Sequence, residues 1–249
     1  MRAVITGASS GIGLALAREL AQRGYALALL ARRKELLDEL ARELGENAIA
    51  IPCDVLDAAS VRDAVRQGEE HLGGPFDLAI ANAGVSIHGH ATNFHLAEVE
   101  QVFRVNVFGM LYLFDAVIPS MVERKSGRFV GVASVAGLRG IPAAAAYSSS
   151  KAAMQAFLEA SRVELAPYGV GVTIVNPGFV ATEMTAKNKF KMPFLMTKER
   201  AARIIVRGLE KEKRVIEFPR PTSLMMRFLR QLPDPLYDMA MKKTGKRRR

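Results

Sequence analysis

At 249 residues the chain can bury about three-quarters of its unfolded surface, and a single α/β sheet domain commonly reaches this size. About half of it is apolar and a quarter charged, which excludes a disordered, collagenous or low-complexity chain. The net charge is +10, but six basic groups crowd into residues 242–249, so a solvated basic end is expected rather than a nucleic-acid surface.

Short apolar runs alternate with longer amphipathic ones. Strands are predicted at 2–5, 26–30, 48–51, 78–81, 129–133, 171–175 and 215–218, and helices at 12–23, 34–44, 58–71, 97–124, 151–168 and 198–211. Strand–helix alternation implies a parallel sheet covered on both faces, and right-handed crossovers make a doubly wound, Rossmann-like sheet the first choice. No linker-like stretch divides the chain before about residue 185, so residues 1–220 read as one α/β domain and 221–249 as an amphipathic extension with a basic tail. Pro219, Pro221, Pro233 and Pro235 mark turns or breaks there. Leu224, Met225, Phe228, Leu229 and Leu232 share one helical face, and packing of this stretch on the body is expected over contact with an anionic membrane.

No apolar run approaches the roughly 18 residues of a membrane span. Polar and glycine residues interrupt the first strand's continuation, so no secretory leader is expected and the expected location is the cytoplasm. Cys53 is the one cysteine, which fits a reducing compartment.

Three segments carry chemistry. Gly7, Ser9, Ser10, Gly11, Ile12 and Gly13 join the first strand to the first helix in a G-x-x-x-G-x-G spacing. A dinucleotide's pyrophosphate needs backbone N–H donors at a helix N-terminus with no side chain in the way. The second strand ends Leu30-Ala31-Arg32-Arg33. It places no carboxylate there for a ribose 2′-hydroxyl, and guanidinium groups suit a 2′-phosphate. NADP(H) is therefore expected over NAD(H), with Arg32 the first choice and Arg33 the second. Finally, Tyr147 and Lys151 stand four apart, on one face of a helix. A cation beside a phenol lowers its pKa and fits it for general acid/base work.

The phosphate loop, Ser134, Tyr147 and Lys151 together resemble the short-chain dehydrogenase/reductase family. The resemblance extends through Asn82-Ala83-Gly84, Asn106, and Asn176-Pro177-Gly178 with Thr182, in family order over residues 1–182. It implies a seven-stranded sheet and hydride transfer between a nicotinamide and a carbonyl or secondary alcohol. Tyr147 would be the general acid or base, Ser134 would hydrogen-bond the substrate oxygen, Lys151 would hold the nicotinamide ribose, and Asn106 would hold a water on the way to Lys151. Asp54 and Val55 would meet the adenine. Asn82, Ala83 and Gly84 would pack beside the adenosine ribose. Pro177, Gly178, Val180 and Thr182 would lie at the nicotinamide.

The substrate pocket is expected from 85–95, 136–146 and 179–198. Leu138, Ile141, Phe179, Met184, Met192, Phe194, Leu195 and Met196 would line it for an apolar substrate. His88, His90 and His95 cluster, but no metal site is expected, since no cysteine and only Glu98 accompany them. A homodimer or homotetramer is expected through the helices at 97–124 and 151–168. A 3-oxoacyl-thioester reductase and a sensor without turnover are the alternative readings, and no aromatic interleaving supports nucleic acid.

Overall fold

The computed structural model describes residues 1–186, 188 and 191–242. The basic run at 243–249, and Lys187, Lys189 and Phe190 of the expected substrate stretch, lie outside the described residues.

The chain opens β1 (Arg2–Thr6), α1 (Gly11–Ala21), β2 (Ala26–Ala31), α2 (Lys34–Leu44), β3 (Ala48–Pro52), α3 (Ala58–His71) and β4 (Leu78–Ala81). It continues α4 (Leu96–Phe103), α5 (Gly109–Glu123), β5 (Gly127–Val132), α6 (Ala145–Leu165) and β6 (Val170–Pro177). It ends β7 (Val180–Ala181), α7 (Glu183–Ala186), β8 (Met196–Thr197), α8 (Lys198–Glu210), β9 (Val215–Phe218), α9 (Arg220–Gln231) and α10 (Asp234–Met241).

Seven strands form one parallel sheet in the order β3-β2-β1-β4-β5-β6-β9, the doubly wound architecture expected from the alternation. Successive side chains of a strand point to opposite faces. Ala3 and Ile5 of β1 accordingly join the core under α1, α2 and α8, while Val4 joins the core under α3, α5 and α6. Because both faces are covered, the central strands are apolar throughout. The order reverses between β1 and β4, and the crevice beyond their carboxyl ends is where ligands bind in such sheets.

The predicted strands match observed ones within a few residues. Three details differ where the site is built. The helix expected over 97–124 is interrupted by a π-helical turn, Arg104–Phe108, with Asn106 at its centre; such turns frequently occur at functional sites. The helix expected from residue 151 begins at Ala145, so Tyr147 and Lys151 lie on its first turns together. The fifth strand ends at Val132, and Ser134 instead opens a 3₁₀ turn, Val135–Gly137.

Leu96–Glu123 is long and apolar enough by composition to cross a membrane, although Glu98, Glu100, Arg104 and Asp115 interrupt its apolar run. Its apolar residues Val102, Met110, Leu113, Val117 and Met121 are buried, and Met110, Leu113, Val117 and Met121 pack in the core beside α3 and α6.

At the C-terminal end, Pro221 lies in the first turn of α9 rather than breaking it. There its missing N–H costs nothing. The face expected to pack is the outward one: α9 buries Thr222, Ser223 and Met226, and leaves Leu224, Met225 and Phe228 exposed.

Candidate active site

Glycines let the β1–α1 turn close tightly against its own helix and β4. Gly7 and Gly11 have φ of +68° and +57°, a region closed to most side chains. A β-carbon on Gly7 would stand 2.9 Å from Ala83 Cα, and one on Gly13 would stand 2.3 Å from Gly7 O. Ser10, at the N-cap of α1, makes no side-chain cap bond, and the first turn of α1 holds no acid. The first N–H groups of the helix and the positive end of its dipole are thus left for an anion.

Asn82 ties this turn to β4. Its side-chain amide donates to Thr6 O (3.0 Å) and Gly7 O (3.2 Å), while Thr6 Oγ1 accepts from the N–H groups of Asn82 and Ala83. Asn82 is therefore a brace of the loop.

One cavity of about 570 Å³ runs from this turn to α6, within the size range of small-molecule sites. It is lined by the expected Gly7, Ser9, Ser10, Gly11, Ile12, Arg32, Arg33, Asp54, Val55, Asn82, Ala83, Gly84, Ser134, Tyr147, Lys151, Pro177, Gly178, Val180 and Thr182. Gly13 and Asn106 lie behind the lining: Gly13 packs the helix on the loop, and Asn106 is fully buried.

At the far end, Arg33 donates to Ser9 Oγ (3.2 Å) and to Glu183 Oε2 (3.1 Å). Arg32 is exposed on the lining, with no hydrogen bond or ion pair among the described residues. The Asp54 carboxylate accepts from Leu56 N–H (3.0 Å), and the cap of α3 is Asp57, which accepts from Ala59 N–H at 2.9 Å.

At the near end, Tyr147 is half-buried with its hydroxyl facing Ser134, whose single proton can go to the phenol oxygen or to Pro177 O. Ser134 Oγ lies 3.3 Å from Pro177 O and accepts from Ala136 N–H (3.1 Å). Lys151 is buried; its Nζ donates to Val132 O at 2.8 Å and lies 5.8 Å from the centre of the Tyr147 ring. Burial brings the Lys151 ammonium down to about 7, since a charged group loses its hydration there. Burial pushes the Tyr147 phenol up, and the Ser134 hydrogen bond pulls it partly back. No lowering of the Tyr147 phenol by Lys151 is found; burial is the largest cause on both groups. Tyr147 carries its proton at neutral pH.

Asn106 is held from three sides. Its Oδ1 accepts from Val85 N–H (2.8 Å), and its Nδ2 donates to Val85 O and Ser150 Oγ, each at 3.0 Å. A β-carbon on Gly84 would stand 3.2 Å from Asn106 Oδ1 and 3.5 Å from Lys151 Nζ, so Gly84 lets the π-helical turn and Lys151 approach each other.

Sequence reasoning missed two residues. Gln155 Nε2 donates to Ser134 O (2.7 Å) and to Asn176 Oδ1 (3.1 Å), and Asn176 passes the chain to Glu217 and Arg227. Its spacing four residues after Lys151 was a usable signal. Glu183 reaches Arg33 from 150 residues away, with no local signal at all.

The apolar pocket candidates divide. Met184 lines the cavity. Met196 does not: it is buried in the core with α8. Phe194 and Leu195 are exposed. His90 caps a short turn by accepting from Thr92 N–H (3.3 Å), and His95 Nε2 pairs with Asn93 at 3.3 Å. Among the described residues no three His, Cys, Asp or Glu side chains gather as a metal cluster. Cys53 lines the cavity with its thiol pushed up to about 11 by burial, so it is no nucleophile at neutral pH.

A family profile described as short chain dehydrogenase matches residues 1–192. An uncharacterized oxidoreductase of Myxococcus xanthus is 39% identical over 97% of this chain and 96% of that protein. An alcohol dehydrogenase of the archaeon Thermococcus sibiricus, solved with 5-hydroxy-NADP, is 32% identical with a TM-score of 0.78, over 87% of this chain and 94% of that one. A 3-ketoacyl-(acyl-carrier-protein) reductase of Brucella melitensis, solved with NADH, is 25% identical with a TM-score of 0.83, over 89% and 98%.

Proposed function

This chain belongs to the short-chain dehydrogenase/reductase family, and we propose that it is an NADP-dependent reductase of an apolar carbonyl compound. The observation that carries the reading is the single cavity joining an uncapped helix N-terminus and Arg32–Arg33 at one end to Ser134, Tyr147 and Lys151 at the other. A dinucleotide fits this lining, because the cavity runs along the uncapped N-terminus of α1, and the glycines at 7 and 11 let the turn pack against Ala83 and Thr182 without side chains of its own.

Ser9 to Ile12 would hold the phosphates through backbone N–H groups. Arg32 and Arg33 would take a 2′-phosphate; Ala31 puts no acid there, and the phosphate would compete with Glu183 for Arg33. Asp54 and Val55 would stand at the adenine, and Pro177, Gly178, Val180 and Thr182 at the nicotinamide. When bound, the cofactor supplies a hydride to the carbonyl carbon.

The remaining work falls to the protein. Ser134 holds the substrate oxygen by a hydrogen bond. Tyr147 gives its proton to that oxygen as the carbonyl becomes an alcohol. The phenol holds its proton at neutral pH, so the acid form is the one that meets the substrate. Lys151, fixed on Val132 O and 5.8 Å from the Tyr147 ring, would steady the tyrosinate left behind in its protonated form, which burial brings down to about 7. Asn106 keeps the π-helical turn against Lys151. Residues 1–220 are the unit that performs this, with 221–249 an extension, in a homodimer or homotetramer formed through α4–α5 and α6.

The likeness to the Brucella 3-ketoacyl-(acyl-carrier-protein) reductase supports a second reading, a 3-oxoacyl-thioester reductase. NADPH oxidation against ketones, aldehydes, quinones and 3-oxoacyl thioesters decides between them. Turnover of apolar ketones with NADPH and little with NADH is expected. Equal use of NADH refutes the arginine assignment, and confinement to thioesters selects the second reading.

A further inference from the structure

We propose that the outer face of α9, together with α10, docks this chain on an anionic lipid surface. Residues of a helix are spaced about 100° apart around its axis. Thr222, Ser223 and Met226 face the body and are buried. Leu224, Met225 and Phe228 occupy the opposite arc, with Leu224 68% and Phe228 66% exposed. The next helix, α10, also leaves Leu236 and Met239 in water, the latter 63% exposed. A run of large apolar side chains left in water on consecutive helices marks a binding surface.

The charge around the ridge identifies the occupant. Arg220 falls on its flank, as does Arg227, which pairs with Glu217 at 2.9 Å, and Arg230 and Lys242 are exposed nearby. From Arg220 onward the sequence holds nine Lys and Arg against only Asp234 and Asp238, seven of the chain's net +10, and Asp234 is paired to Arg139 at 2.6 Å. An apolar ridge flanked by cations matches the boundary between anionic headgroups and acyl chains. A second copy of this chain would bring the same cations to the same face, and nucleic acid has no use for the ridge.

The surface is anchored beside the proposed site. Arg139, between Ser134 and Tyr147, donates to Leu229 O (3.1 Å), Arg230 O (3.0 Å) and Leu232 O (2.7 Å), which end α9. Its guanidinium lies 4.1 Å from the Tyr237 ring centre, and Tyr237 donates to Gly140 O. The docking face is thereby fixed to the loop that follows Ser134.

The test is co-sedimentation of the full chain with phosphatidylcholine vesicles, with and without phosphatidylglycerol. The wild type is expected to pellet only with the anionic vesicles and to be released by salt. Leu224→Ser with Phe228→Ser keeps every charge and changes two exposed positions; its binding should fall at least about tenfold with unchanged melting. Replacing Arg220, Arg230 and Lys242 by Ser should cost roughly fivefold per cation. Wild type that stays in solution with anionic vesicles overturns the proposal. So does an apolar double variant that binds like wild type, or one that instead turns a dimer into a monomer in sedimentation velocity. The readout involves no turnover, so these outcomes leave the reductase reading untouched.

Discussion

Lys151→Met tests how the site holds its cation. Lys151 is buried, with its ammonium brought down to about 7 from the usual 10.5. Between those values the unfolded chain binds this proton and the folded chain largely does not, so wild-type stability rises with pH across the window. Below 7 the folded protein bears the full cost of a buried charge. Methionine keeps the volume and removes the titration. At pH 7 the variant should therefore be more stable than wild type, less whatever the lost hydrogen bond to Val132 O is worth, on the order of 1–3 kcal/mol. Raising the pH from 7 to 9 should move the difference toward wild type by about 2 kcal/mol at 1.36 kcal/mol per decade. For a chain of this size that is roughly 4–8 °C in Tm. Other titrating groups cancel in the comparison. Calorimetry of both proteins at pH 6, 7, 8 and 9 gives the number. A difference that stays constant with pH would mean that Lys151 keeps an ordinary value, and would remove the desolvation argument for the whole tyrosine–lysine pair.

Further outcomes follow from the same geometry. Arg33→Glu should weaken NADPH by about 10–100-fold, the worth of a charge-assisted pair, while NADH binding measured by fluorescence titration changes little. Gly13→Ala places a methyl 2.3 Å from Gly7 O; it should weaken both cofactors alike and lower the melting temperature. Gln155→Leu breaks the bonds to Ser134 O and Asn176 Oδ1. It should lower kcat at unchanged NADPH affinity, and Gln155→Asn should not restore it, because its side chain is one methylene short.

The fold was legible because a parallel sheet buried on both faces writes itself as continuous apolar runs. Each of Leu27 to Leu30 is buried, and the run reads as a strand without any alternation. The site was legible wherever chemistry follows from local spacing. Gly7 to Gly13 fix a turn, and Tyr147 to Lys151 fix a helix face. What the sequence hid depends on side chains meeting from distant segments. Glu183 meets Arg33 only once β7 and α7 have folded back over the loop. The balance of pKa shifts is hidden as well, because proximity of a cation is visible in sequence and burial is not. Met196 illustrates the same limit: an apolar residue in a candidate loop turns out to fill the core under α8. The outward face of α9 was misassigned too, since periodicity reveals an apolar arc but not which arc meets the body.

The central claim is that Tyr147 passes the proton. The direct measurement is NADPH-dependent turnover of the best carbonyl substrate by Tyr147→Phe, with NADPH affinity measured alongside. Phenylalanine keeps the ring and removes only the hydroxyl that bonds Ser134. Turnover should fall by roughly 10²–10⁴-fold, the range for loss of a general acid, with the Kd for NADPH held within about twofold of wild type. Turnover near the wild-type rate would contradict the assignment and move the proton source to another group.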